Sequence, residues 1–525
     1  MSSGAASDSI FEDPESFLKI AADFHLGDLM TEAQHPDTMD LSYLAKNDLR
    51  AAIELLKQVD LDALKALRDL SDSLISLAEE IRSTLAAGQR IFLCGCGATG
   101  RLSLSLEIFA RSGQLGESLA DDQIIGFMAG GDAALIRSIE SFEDFSRYGA
   151  RQLMDLGFSE GDLLISTTEG GETPFVIGAT QAAAGLKGEA ARAPYFLYCN
   201  PDGILCKVAE RSRQVIEAQE VRSLSLPVGP MALSGSTRMQ ASTVLMAAVG
   251  WAMLHRSHSG RIRGEVEKFI DQVKGVDFFH LEGFIAAESE AYQSGKRVLY
   301  QPASHYGITV MTDTTERAPT FSLRPFQNNR DPDDLPCLCY LHLMDTATAG
   351  EAWHQLLLRD PRPLEWQGVK SLAGKERMMG FDFSDHWLET FLQQGQADEY
   401  LRFEISDDES FLRLKLADAA EHSFAVESLS PFARQLLLKL MLNIHSTLVM
   451  GRLARYEDNL MTYVSASNNK LLDRAVRYVQ MLLHRRLPKD VAVPDYESIC
   501  RELFRQKTRL LADESVVIKT MEAFL

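Results

Sequence analysis

Three short turns in this chain carry residues able to hold an anion. The first, GCGATGR, places Gly95, Gly97 and Gly100 in a G-x-G-x-x-G spacing, after the apolar run Ile91–Cys94 and before a helical pattern that starts at Arg101. A buried strand, a glycine turn and a helix start together offer unpaired amide donors and the positive end of the helix dipole. The second turn, STTEGGETP, carries Ser166, Thr167, Thr168, Gly170, Gly171 and Thr173, with Pro174 suited to the first position of a helix. The third, LSGSTRM, carries Ser234, Ser236 and Thr237.

The candidate anions are a dinucleotide pyrophosphate, a nucleotide triphosphate and a small phosphorylated metabolite. A dinucleotide site wants an acid about 20 residues past the glycines, at the end of the second strand. Here Asp132 is 32 residues past Gly100. A triphosphate loop wants Lys-Ser/Thr after its last glycine, and Arg101-Leu102 stands there. Hydroxyls and amides converging from several loops suit one compact phosphate with a polyhydroxyl body, in the crevice at the carboxyl ends of parallel strands. The alternative, for each hydroxyl separately, is that it caps its own helix.

The elements that must position these turns follow from hydrophobic periodicity. Residues 47–87 repeat apolar positions at helical spacing. From Arg90 to about Leu205 strand and helix patterns alternate: RIFLC, QIIGFMAGG, DLLIST and APYFLYCN read as strands with helices between them. That order implies a parallel sheet covered by helices. Strand, turn and helix recur at KRVLYQPASHYGITVMTD, about 200 residues on, which suggests a tandem duplication. Gln301-Pro302-Ala303-Ser304 there cannot reproduce the first amide cradle, because proline has no N–H. The expected boundaries are an N-terminal segment 1–45, a first α/β domain 46–255, a helical linker 256–290, a second and degenerate α/β domain 291–430, and helices over 431–525.

At 525 residues the chain is too long for one ordinary core, and two or three domains are expected. A net charge of −21 excludes a nucleic-acid or anionic-membrane surface as the main partner. It also means that an anionic ligand must be held by local donors. No apolar run approaches the ~20 residues of a membrane span. The polar, acidic first residues lack the regions of a signal peptide. The seven cysteines fall mostly in strand-like runs, as reduced core thiols of a cytoplasmic protein would. Neither C-x-x-C nor H-E-x-x-H occurs, and neither a metal nor a cofactor is expected.

Five stretches together carry a resemblance: TEAQHPDTMDL (31–41), GCGATGRL (95–102), SIESFED (138–144), VGPMALSGSTRM (228–239) and NLMTYVSASNNKLLDRA (459–475). With them the chain resembles SIS (sugar isomerase) phosphosugar-binding domains. More narrowly, it resembles the group that holds N-acetylmuramic acid 6-phosphate etherase and glucokinase regulatory protein. The resemblance implies an α/β fold, with two tandem domains of flavodoxin-like three-layer form and an all-helical C-terminal cap. It assigns Gly97, Thr99, Thr168, Gly170, Ser236 and Thr237 to the phosphate and sugar oxygens. Glu143 matches an acid that touches the sugar in the regulatory protein and is catalytic in the etherase. Glu316 matches an acid lent by the second domain, and Lys470 a lysine of the tail that reaches the ligand. The implied function is binding of a hexose or amino-sugar phosphate, as a metabolic sensor or regulator with a protein partner at the cap. The alternative is an enzyme, an etherase-type lyase or an aldose–ketose isomerase.

Two departures bear on that choice. The etherase pattern has a glutamate eight residues after the arginine of the glycine turn, and here that position is Phe109. The nearest acid, Glu107, is two residues back, about 200° around the helix, and faces away. The second loop holds Glu169 and Glu172 where the relatives have small, apolar or basic residues. Such carboxylates must point out, meet a cation, or read sugar hydroxyls or an amine. Glu169 is counted with the ligand-binding residues, and Glu172 or His445 is the candidate replacement acid.

Overall fold

The structure is a computed structural model, and it describes residues 13–24, 26–116, 122–139, 142–331, 333–393, 399–464, 466, 468–511 and 513–525. Glu140, Ser141, Ser465 and Ser467 of the quoted stretches, and the first dozen residues, lie outside that set.

Five parallel strands form the first sheet: β1 (Ile91–Gly95), β2 (Ile124–Met128), β3 (Leu163–Thr167), β4 (Tyr195–Tyr198) and β5 (Arg222–Ser225). β1 to β4 are buried along their whole length. That is why each reads in sequence as a continuous apolar run. The spatial order is β2-β1-β3-β4-β5. The chain therefore reverses direction across the sheet between β1 and β3, and at such a point the strand ends open a crevice.

The second sheet has the order β10-β9-β8-β6-β7, from β6 (Arg297–Pro302), β7 (Cys339–Leu341), β8 (Tyr400–Asp407), β9 (Phe411–Leu416) and β10 (Ala420–Ala425). β6 runs parallel to β7 and β8, but β8, β9 and β10 form an antiparallel meander. This sheet is thus mixed, where the duplication implied a parallel one. The physical reason is that one face of the meander meets solvent. Exposed and buried residues alternate along β9, and short turns join the three strands.

Two helices are buried almost all round and pack among other helices. Gln240–Leu254 has all but its last residue buried, and Pro431–Arg452 is buried from Phe432 to Gly451 apart from Arg434. Arg359 reaches from the second half back to the first, where it meets both Glu107 and Asp132. None of the seven cysteines forms a disulfide, and five of them are buried. Among the described residues no helix is long and apolar enough to cross a membrane. None of their acidic, histidine or cysteine side chains gather in threes as metal ligands would.

Candidate functional site

A cavity of about 550 Å³ opens at the carboxyl ends of β1, β2 and β3. Its floor is the glycine turn. Gly95 and Gly100 serve packing: a Cβ on Gly95 would meet the Thr99 carbonyl at 2.3 Å, and one on Gly100 would lie 2.5 Å from the Met128 Cβ. Gly97 has φ +55°, begins the Gly97–Arg111 helix and lines the cavity. The amides of Gly97 and Ala98 stand in the first turn, where no intrahelical acceptor reaches them. They and the helix dipole favour an anion at this wall.

The remaining walls come from distant parts of the chain. Glu169, Gly170 and Glu172 enter on the loop after β3, and Ser236, Thr237 and Arg238 on the turn before the Gln240–Leu254 helix. Glu143 follows the first helical turn past β2. Glu316 comes from the Gly307–Phe321 helix of the second half, and Lys470 and Arg474 from the Asn469–Arg486 helix. Thr31 and Glu32 of the N-terminal segment complete the wall. Asn468 caps the Asn469–Arg486 helix by accepting from the Leu471 amide, which fixes Lys470 in the first turn.

Most charges in the cavity are paired. The Lys470 ammonium is 2.6 Å from Glu172 Oε1 and 3.8 Å from Glu143 Oε1. Burial disfavours the ammonium, but Glu172 and Glu143 outweigh it and hold Lys470 firmly protonated. Burial likewise pushes the Glu172 carboxyl up, and Lys470 reverses the shift to leave it below its ordinary value. Arg101 donates to Glu316, and Arg474 to Glu32 at 2.6 Å. Arg238 reaches Asp313 at 3.2 Å and also binds the Ser446 and Thr447 hydroxyls, which ties the turn to the Pro431–Arg452 helix.

Five polar atoms of residues on these walls are buried and have no partner among the described residues: Ser236 Oγ, Glu169 Oε1, Glu172 Oε2, Arg137 Nε and Arg238 Nε. Glu169 is pushed up to about 8, by burial first and then by the neighbouring Glu316 and Glu172 carboxylates. It is a carboxylic acid rather than a carboxylate at neutral pH.

The sequence profile of the glucokinase regulatory protein N-terminal SIS domain matches residues 73–184. N-acetylmuramic acid 6-phosphate etherase 2 of Vibrio cholerae is 32% identical over 218 residues, which are 42% of this chain and 64% of that protein. The etherase of Cronobacter sakazakii is 30% identical over 222 residues, 42% of this chain and 67% of that one. This chain belongs to the SIS family of phosphosugar-binding proteins. It spans just under two thirds of the length of the first of those relatives. A solved tagatose-6-phosphate ketose/aldose isomerase from Escherichia coli is 11% identical, with a TM-score of 0.39 over 77% of this chain and 95% of that one.

Of the residues singled out in the sequence, this SIS protein brings Gly97, Glu143, Glu169, Gly170, Ser236, Thr237, Glu316 and Lys470 to one cavity. Thr99 and Thr168 do not line it. The Thr99 hydroxyl donates to the Cys96 carbonyl and accepts from the Cys96 amide, and so caps its own helix. Thr168 Oγ1 is 3.0 Å from the Thr173 hydroxyl and accepts from the Gly171 amide, inside its own loop. Gln301, near the end of β6 where the second half has no glycine turn, bonds to His342 and does not line the cavity. Phe109 packs on Phe432 with ring centroids 6.1 Å apart. Glu107 faces away as expected, where Arg111, Arg359 and Arg362 hold it. His445 is buried 3.4 Å from Glu288 and does not line the cavity, whereas Glu172 does. The charged walls Arg101, Glu32 and Arg474 were not singled out. All three stand inside the quoted stretches, so a buried ionic pair between the first and last stretch was the readable signal.

Proposed function

We propose that this protein binds a sugar phosphate in this cavity and does not carry out the etherase reaction. The observation that carries the reading is the meeting, in one cavity, of the open Gly97 and Ala98 amides with the unpartnered Ser236 and Glu169 side chains. Buried polar atoms left without partners are costly, and a ligand with a phosphate and several hydroxyls satisfies them. The phosphate sits against the start of the Gly97–Arg111 helix, and Lys470 supplies a point charge beside it. Glu143 and Glu316 face the sugar. In this reading residues 46–255 and 291–430 are two α/β units, and the helices of 431–525 close the first unit's site. Lactyl-ether elimination needs one group to take a proton and another to give one within reach of the sugar. With Phe109 turned into the core, the helix after the glycine turn supplies neither.

One observation favours a second reading, a phosphosugar lyase or isomerase. Glu169, protonated near neutral pH, shares the cavity with Glu143, and the two could act as acid and base. Calorimetric titration with glucose 6-phosphate, glucose and inorganic phosphate tests binding. The sugar phosphate should bind and the other two bind far more weakly. Equal, weak heats for all three would sink the proposal. A regulator would pass occupancy on through a protein contact, and the C-terminal helices, whose Lys470 and Arg474 line the cavity, are where that contact would form.

A further inference from the structure

The charge pattern of the cavity narrows the ligand further, and this inference rests on the phosphosugar reading above. The cations that line the cavity already have carboxylates of the protein against them: Arg101 has Glu316, Arg137 has Asp334, Arg238 has Asp313, Arg474 has Glu32, and Lys470 has Glu172. Glu169 has no cation paired with it among the described residues. It is 9% exposed, it lines the cavity, and its Oε1 has no hydrogen-bond partner among the described residues. The ionisable group left without a counter-ion is therefore an acid, in a site whose other ligand group is an anion.

A neutral, desolvated carboxyl beside committed carboxylates gains most from a positive charge that arrives with the ligand. The Glu316 and Glu172 carboxylates, which together with burial push Glu169 up to about 8, also favour a cation beside it. A metal ion fits less well, since no three ligating side chains gather among the described residues. We propose that the ligand is an amino-sugar phosphate with a free amino group, whose ammonium is held by Glu169 while its phosphate lies on the Gly97–Ala98 amides. As the ammonium seats, Glu169 gives its proton to solvent and the pair forms a charge-assisted hydrogen bond. An N-acetylated sugar carries no such charge, and a hydroxyl in its place leaves the acid protonated.

The test is calorimetric titration of the full chain near neutral pH with glucosamine 6-phosphate, N-acetylglucosamine 6-phosphate and glucose 6-phosphate. All three carry the same phosphate and differ only at the second carbon. Glucosamine 6-phosphate should bind about tenfold or more tighter than either of the others, the scale of one charged hydrogen bond. In Glu169→Gln the ratio of glucosamine 6-phosphate to glucose 6-phosphate affinity should fall to within about twofold of one. Equal affinities in the unaltered protein, or a preference for the N-acetyl sugar, would overturn the inference while leaving the phosphosugar reading in place. A preference that survives Glu169→Gln would also overturn it. If none of the three binds, the phosphosugar reading itself fails and this inference with it. The comparison of the three sugars needs no variant, so it stands whether or not Glu169→Gln folds.

Discussion

Glu169 makes the empty protein less stable as pH rises, and replacing it should show by how much. Its carboxyl titrates at about 8 in the folded chain against 4.5 for an unperturbed glutamate. Below about pH 4.5 both the folded and unfolded chains hold the proton, and the group has no pH dependence. Between the two values the unfolded chain has released its proton while the folded chain keeps it. Stability then falls as pH rises, by about 1.4 kcal/mol per pH unit. Above about pH 8 both forms are ionised and the contribution is lost. From pH 5 to pH 7.5 the difference is about 3 kcal/mol. Glutamine has the same shape and nothing to titrate. Urea unfolding of the ligand-free protein and of Glu169→Gln at pH 5, 6.25 and 7.5 reads the effect. The variant should gain on the unaltered protein steadily across that range. A gap that stays constant with pH would mean that Glu169 titrates as an ordinary carboxylate and that the argument from its burial and neighbours is wrong.

Other perturbations test other parts of the molecule. Lys470→Ala removes the ammonium that faces Glu172 and Glu143, and should weaken glucose 6-phosphate binding by about tenfold or more in calorimetry. Arg359→Ala leaves Asp132 buried without its guanidinium, with only the Arg362 amide against it among the described residues, while Arg111 and Arg362 still hold Glu107, and should lower stability to urea by about 3 kcal/mol. Gly97→Ala meets open space and should cost about 1–2 kcal/mol, from its left-handed backbone alone. Gly100→Ala should cost clearly more, because its methyl would lie 2.5 Å from the Met128 Cβ, an atom that cannot swing aside. A thermal-melt comparison of the two glycine variants reads that difference.

The first sheet was legible because β1 to β4 are buried on both faces and bounded by turn residues, so run length and turn chemistry sufficed. The β8–β10 meander was not, because it alternates charged and apolar residues, as in Arg413, Leu414 and Lys415. Such a pattern was absorbed into an α/β reading of the whole second half. At the site, sequence could place hydroxyls on turns but could not say where they point. Thr99 and Thr168 face their own backbone, while Ser236 faces the cavity. The state of Glu169 was out of reach for a different reason. It depends on burial and on Glu316 and Lys470, which only tertiary packing brings near it. The expectation that Glu107 turns away was readable, since helical rotation alone decides it.

Binding without elimination is tested most directly with N-acetylmuramic acid 6-phosphate itself. The purified protein is titrated with it, and released lactate is assayed in the same samples. The compound should bind saturably, because it carries the phosphate and the sugar, and lactate should stay at the level of the protein-free control. Loss of a general acid costs about 10²–10⁴-fold in rate. Lactate released at about 1 s⁻¹ or faster, within the ordinary enzymatic range, would contradict this and make the cavity that of an etherase.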